Sequence, residues 1–310
     1  MEVKCDIAKY ITSVKMSTKK RILVEGRDDK AHITNLLDVT LRDHKVKIDA
    51  AENIKGDCSA TAKNNKAKIE KIYNTCRESA QHENLYFLSD REYLKFDIGN
   101  EIVDLMASHE SRGNLNWTIG HSLENYFIES GIICDAYRYL SGSEFKSEAI
   151  DIFKRILPSA VKTIAVITLS ARDIGKSSYP LGTIRWNDFK VINGLLQFDI
   201  EKWKEGDSAT IVSNFRESYN SYLPIVEASE SLVCSRICRG HTAMQMLQRV
   251  FSACLYAAGS EIDESVAIKT AQDFSKLREL TVSGALSEAW IRTIRSGSEN
   301  YPTNLISSVA

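Results

Sequence analysis

No apolar run in the 310-residue sequence approaches the roughly 20 residues that a membrane-spanning helix needs. The first residues, Met1-Glu2-Val3-Lys4-Cys5-Asp6, lack the basic-then-apolar order of an export signal, so a cytoplasmic location with no membrane attachment is expected. The seven cysteines contain no Cys-x-x-Cys pair and are odd in number, which excludes a paired disulfide framework and fits reduced thiols. Cys234 and Cys238 have no second Cys or His pair at ligand spacing and read as i, i+4 neighbours in a helical core. Proline is scarce and confined to the second half (Pro158, Pro180, Pro224, Pro302), leaving the first half without strong punctuation. An excess of either charge is also lacking. With 40 Lys and Arg against 41 Asp and Glu, the chain is not coated for non-specific nucleic-acid binding. Its local basic clusters, Lys15, Lys19, Lys20 and Arg21, then Arg236 and Arg239, each read alone as a solvated face.

What is present is a globular composition, 43% apolar and 26% charged, with length for one large domain or two ordinary ones. Arg21-Ile-Leu-Val-Glu-Gly26 is β-branched and Gly-terminated and predicts a buried strand. A helix with an acidic first turn is predicted over Asp28–Leu37, and a half-buried alternating strand over Lys45–Ala50. A long helix follows over Ala60–Ser79, with Ile69, Ile72 and Cys76 on one face. Further strands are expected at Leu85–Leu88 and Leu115–Ile119, and a helix starting within His121–Phe127. Strand and helix in alternation predict an α/β fold with a parallel sheet, its ligand site outside the carboxyl ends of the strands. After about residue 130 the pattern turns helical, with helices expected over Ser143–Leu157, Asp207–Tyr222, His241–Ala258, Glu264–Leu277 and Ser283–Ile294. Thr163–Leu169 reads as a strand, and Ser296–Tyr301 with the remaining tail as loosely ordered. The division expected is therefore a catalytic α/β domain over residues 1–130 and a mainly helical region over 131–310 serving dimerisation or docking.

Two strand ends carry acids. Glu25 closes the first strand, and Asp90-Arg91-Glu92 follows the third, both carboxylates falling on one side if the pleat continues. Carboxylates fixed at neighbouring strand tips hold Mg2+ or Mn2+ without saturating it, and such an ion stabilises charge on a phosphoryl group and activates water. Gly26 would let the chain turn sharply and a phosphate approach. Asp29, in the first turn of the next helix, could reach the same cluster.

Val24-Glu25-Gly26-Arg27-Asp28-Asp29 resembles the first motif of TOPRIM domains, and Leu88-Ser89-Asp90-Arg91-Glu92 their Asp-x-Asp motif, with Glu92 where Asp is usual. The longer reach of Glu92 bears on metal geometry. Ser122-Leu-Glu124-Asn125-Tyr126-Phe127 resembles a Ser-Ile-Glu-Asn-Tyr block in TOPRIM proteins encoded beside ABC-type ATPases in bacterial defence loci. Length, a helical second half and Arg239-Gly240-His241 extend the resemblance to the AriB effectors of PARIS anti-phage systems. The resemblance implies a TOPRIM (Rossmann-like) fold and a magnesium-dependent endonuclease, with Glu25, Asp90 and Glu92 as catalytic metal ligands. Asp29 and Glu124 are secondary candidates, and Asn125 and Tyr126 would fix the following helix to the sheet. It further implies a homodimer restrained by an AriA-like ABC-type ATPase, which attacks host RNA, tRNA in particular, as a toxic abortive-infection effector. Two alternatives stand beside it, a catalytically silent TOPRIM-shaped subunit of an ATPase complex and a DNA-directed OLD-like nuclease.

Other signals carry less. Thr163 to Ser177 approaches a P-loop, but Ser170 stands where Gly is needed and Pro180 falls inside the helix that must follow. His121 and His241 read as structural histidines at element ends, and no Gly-x-Ser-x-Gly elbow exists. Trp117, Trp186, Trp203 and Trp290 are spread singly and read as core or interface residues.

Overall fold

The computed structural model describes residues 5–41, 43, 45–200 and 209–310. The strands are β1 (Arg21–Val24), β2 (Lys47–Ala50), β3 (Leu85–Ser89), β4 (Phe96–Ile98), β5 (Ile102–Asp104), β6 (Ser111–Arg112), β7 (Leu115–Trp117), β8 (Phe189–Ile192) and β9 (Leu195–Phe198). The helices are α1 (Ile7–Lys15), α2 (Arg27–Thr40), α3 (Ser59–Ala62), α4 (Asn65–Cys76), α5 (Ser130–Leu140), α6 (Lys146–Asp173) and α7 (Tyr179–Thr183). They continue with α8 (Ala209–Ala228), α9 (Ser231–Ile237), α10 (Gly240–Gly259), α11 (Glu264–Ser275), α12 (Glu279–Arg295) and α13 (Thr303–Val309). Among the described residues no helix is long and apolar enough to cross a membrane.

The chain forms two compact units. The first comprises Met1–Glu92, Met106–Leu123 and Ile291–Ala310, the second Tyr93–Leu105 and Glu124–Trp290. Both are discontinuous in sequence, which a single boundary near residue 130 does not convey.

The first unit is built on a mixed, mostly parallel sheet in the order β2-β1-β3-β7-β6, in which only β6 runs antiparallel to its neighbour. Alternation along β1 sends Leu23 to one face, where it meets Phe87, Leu85 and Leu115 beneath Ile69, Ile72, Tyr73 and Cys76 of α4 and Ile7, Tyr10 and Val14 of α1. Ile22 and Val24 point to the other face, and α2, with Ile33, Leu36 and Leu37 buried, contacts β1 and β2. From β1 the chain moves to β2 on one side, then crosses back to β3 on the other. The β1/β3 boundary is therefore a topological switch point, whose carboxyl end is where open α/β sheets place their ligand sites.

Three expectations for this unit are corrected. The helix expected over Ala60–Ser79 is broken into α3 and α4, because the Asn64 side chain accepts from Ala67 N at 2.9 Å and caps a new start. The tail is ordered: α13 buries Leu305, Ile306 and Val309, and Lys20 Nζ donates to the Val309 and Ala310 carbonyls at 3.1 and 2.6 Å. Gly26 does not use its conformational freedom, its φ of −111° being extended; a Cβ there would instead come within 3.3 Å of the Asp29 carboxylate.

The second unit is helical, with α6 packed on α5, α8, α9 and α10, and α10 on α11. Tyr137, Phe153, Phe251 and Phe274 interlock at its centre, the closest ring centroids 4.8 Å apart. Thr163–Leu169 is not a strand but the interior of α6, which runs through Pro158 to Asp173. Ile164 through Ile167 are wholly buried, and a helix enclosed on all sides has no polar face to reveal its period. That burial outweighs both β-branching and the backbone bond lost at Pro158. The P-loop resemblance ends there, since a helix and not a strand leads into Gly175-Lys176-Ser177. Cys234 and Cys238 are buried core thiols, with Cys238 Sγ donating to the Cys234 carbonyl at 3.1 Å. Trp290 is buried against Tyr126 and Phe127, Trp186 packs on Tyr256, and in the first unit Trp117 lies against the core. Trp203, and the first two residues of the helix expected from Asp207, lie outside the described residues.

Candidate active site

Glu25 follows the last residue of β1 and Asp90 the last residue of β3, so both stand at the switch point. Glu25 Oε1 accepts from Ser89 Oγ at 3.0 Å and from the Asp90 backbone N–H at 2.9 Å. Among the described residues no hydrogen bond reaches its other oxygen. Burial raises the Glu25 carboxyl above the ordinary range against the pull of these two bonds; Lys66 lowers it and Glu92 raises it again. Glu25, Asp90 and Glu92 are thus brought to one place.

The pleat does not continue through them. Pairing of β3 ends at Ser89, and Glu92 takes a left-handed φ of 51°. The intervening Arg91 is wholly buried, its guanidinium donating to the Ile119 carbonyl at 2.7 Å and its N–H to Thr118 Oγ1 at 3.0 Å. Glu92 N–H donates to the His121 carbonyl at 2.8 Å. A buried arginine between two outward acids sets their separation by its anchoring, where alternation alone would have placed both on one strand face.

Lys66, in the first turn of α4, was not singled out from the sequence. Its Nζ lies 2.8 Å from Glu92 Oε2, and its side chain is only 20% exposed against 50% for Glu92. Ser89 was also missed; its sole signal was adjacency to Asp90. Nothing in sequence marked Lys66, because it is 26 residues from its partner.

Asp29 is placed at the start of α2, where its Oδ2 accepts from Gly26 N–H at 2.8 Å in a capping box. Glu124 belongs to the second unit. It is buried, and His241 Nε2 lies 3.3 Å from its Oε1 while His241 Nδ1 bonds Glu279. Gln245 holds the second oxygen of Glu279 at 3.0 Å. Burial pushes the His241 imidazolium down, and the two carboxylates outweigh it, so the net shift is upward. Asn125 Nδ2 donates to the Ser235 and Cys238 carbonyls at 2.7 and 2.9 Å, satisfying the open end of α9, and Tyr126 stacks on Trp290 of α12.

The donor set at the switch point is all carboxylate oxygen, the hard ligand type that Mg2+ and Mn2+ take. Among the described residues no group of three or more acids, histidines or cysteines is arranged to enclose an ion. Lys66 engages Glu92 through Oε2 and so competes with an ion for that carboxylate. In comparisons with known proteins, no family model and no curated sequence matches the chain.

Proposed function

We propose that this chain is a TOPRIM-type, metal-dependent endonuclease, the toxic effector of an anti-phage system. The observation that supports it best is the Glu25 carboxylate at the switch point. It is anchored through one oxygen to Ser89 and Asp90, its basicity is raised by burial, and Glu92 and Lys66 bear on it electrostatically. Bound Mg2+ or Mn2+, held by Glu25, Asp90 and Glu92, would neutralise charge on a phosphodiester. Glu25 Oε2 would accept a proton from attacking water, and a raised carboxyl pKa suits a base at neutral pH. Ser89 and the Asp90 N–H hold the carboxylate in orientation. Lys66 would move from Glu92 to a substrate phosphate, as a flexible point charge does.

The substrate class (RNA, tRNA in particular), homodimerisation and restraint by an ABC-type ATPase follow from the AriB resemblance and are part of the proposal. A second reading, a catalytically silent subunit of an ATPase complex, is favoured by one observation: the Lys66–Glu92 ion pair already neutralises one acid without a metal. Incubating the purified chain with total tRNA and with plasmid DNA, with Mg2+, Mn2+ or chelator, separates them. Cation-dependent cleavage that disappears in Glu25→Gln is expected. Two intact substrates under every condition would leave the silent reading standing.

A further inference from the structure

The second unit carries an open groove of about 530 Å3, lined by Tyr93, Phe96 and Ile98 on and beside β4, Arg172 and Asp173 at the end of α6, and Tyr222 of α8. The Arg172 guanidinium carbon lies 3.9 Å from the centroid of the Tyr93 ring. Arg172 is exposed, and no carboxylate pairs with it among the described residues. The strand arm that carries Tyr93 and Phe96 is anchored: Ile102 N–H donates to Ser229 Oγ at 2.7 Å, and Asp104 pairs with Arg236 at 2.8 Å. Asp173 Oδ2 accepts from Ser218 Oγ at 2.7 Å, holding that carboxylate against α8.

Rings and a guanidinium plane in one groove are the means by which proteins stack unpaired bases. The volume lies in the ordinary range for small-ligand sites, roughly 300–1,000 Å3. Arg172 and Asp173 give the lining no net charge. A ligand recognised by phosphate alone would find little attraction there, whereas a planar aromatic ligand finds stacking faces. We propose that this groove binds a nucleobase of a single-stranded nucleic acid, a subsite that takes its purpose from the nuclease reading. Phe96 and Tyr222 flank the base, and the Arg172–Tyr93 stack supplies a third face.

The test uses the full chain in chelator, where no cleavage can occur, and fluorescent five-residue oligonucleotides: oligouridylate, oligothymidylate and an abasic strand of equal charge. Both base-bearing strands are expected to bind more tightly than the abasic one. Arg172→Ala and Tyr222→Ala should each weaken binding of the base-bearing strands roughly ten-fold. Tyr222→Phe should bind as wild type, and all three should keep the wild-type melting temperature. Equal binding of the abasic strand, no binding at all, or unchanged affinity in both alanine variants overturns the proposal. The cleavage assay with Glu25→Gln is scored separately. Base-dependent binding without cleavage would sink the nuclease reading alone, and Glu25-dependent cleavage with base-independent binding would sink the subsite alone.

Discussion

Glu25 is an anchored acid and not an exposed strand-end charge, and this separates two substitutions that a sequence reading would treat alike. Glu25→Ala leaves the buried Ser89 hydroxyl and the Asp90 N–H without their acceptor, a loss of about 1–3 kcal/mol offset in part by removing a desolvated carboxylate. Glu25→Gln keeps an acceptor oxygen in place and removes the charge. Both are expected to abolish cleavage. Thermal melts should place Glu25→Gln at or above wild type and Glu25→Ala below it. An active Glu25→Gln would remove this residue from the chemistry.

Lys66 makes a prediction of its own, independent of turnover. Its ammonium competes with any cation for Glu92. A unit positive charge about 4 Å from a doubly charged ion opposes it by about 2 kcal/mol even at the dielectric of water. Lys66→Met is therefore expected to tighten Mn2+ binding roughly thirty-fold while weakening nucleic-acid binding. Titration of Mn2+ by calorimetry or spin resonance reads the first effect, and weaker Mn2+ binding in Lys66→Met would contradict the competition.

At the scale of elements, the N-termini of α10 and α12 and the short turn at Glu124 converge on His241. The groups that face it are Glu124, Glu279 and, from its own helix start, Arg239. Its folded pKa is raised above the unfolded value. The stabilisation is thus fully present below the unfolded pKa and is lost as pH rises through the raised folded pKa. Denaturant midpoints should fall from pH 6 to pH 8 in the wild type, and the histidine's share of that fall should vanish in His241→Gln. An identical profile in both would refute the assignment. At the end of α10, a Cβ on Gly259 would sit 2.4 Å from the Phe145 ring. Alanine's helix preference of about 1 kcal/mol is outweighed by overpacking of about 1–3 kcal/mol. Gly259→Ala should destabilise, and Phe145→Leu in the same chain should recover part of the loss, as denaturant unfolding would show.

At the scale of the whole molecule, the proposed reading as a nuclease directed at its host's own RNA demands restraint. Among the described residues the stretch nearest to a P-loop, Thr163–Ser177, is the second half of α6 and the turn after it, with no strand leading into it. We therefore expect restraint from outside, by an ATPase whose binding differs between the active and inactive populations. Expression of the chain alone should arrest growth and fragment tRNA, and co-expression with a neighbouring ATPase gene should relieve both. Light scattering should give a dimeric mass at micromolar concentration; a monomer there would count against the dimer.

The sequence alone determined the α/β character of the first half, the positions of its central strands along the chain and the acids at their tips. Those features are local: short apolar runs ending in Glu-Gly or Ser-Asp announce a strand and its end within six residues. It also showed most of the later helices, since amphipathic period survives wherever one face meets water. Tertiary structure alone decided the rest. α6 is enclosed on every side from Ile164 to Ala171, so Thr163–Leu169 kept no period by which to be read as helix. The path Asp90–Glu92 takes depends on Arg91 finding carbonyls near residue 119, and the charge beside Glu92 comes from Lys66 on another element. Glu124, a candidate fourth acid by sequence, pairs with His241 from more than 110 residues away, and His241 in turn with Glu279. Local chemistry places an acid at a strand end; only the packing of distant elements decides what shares its charge.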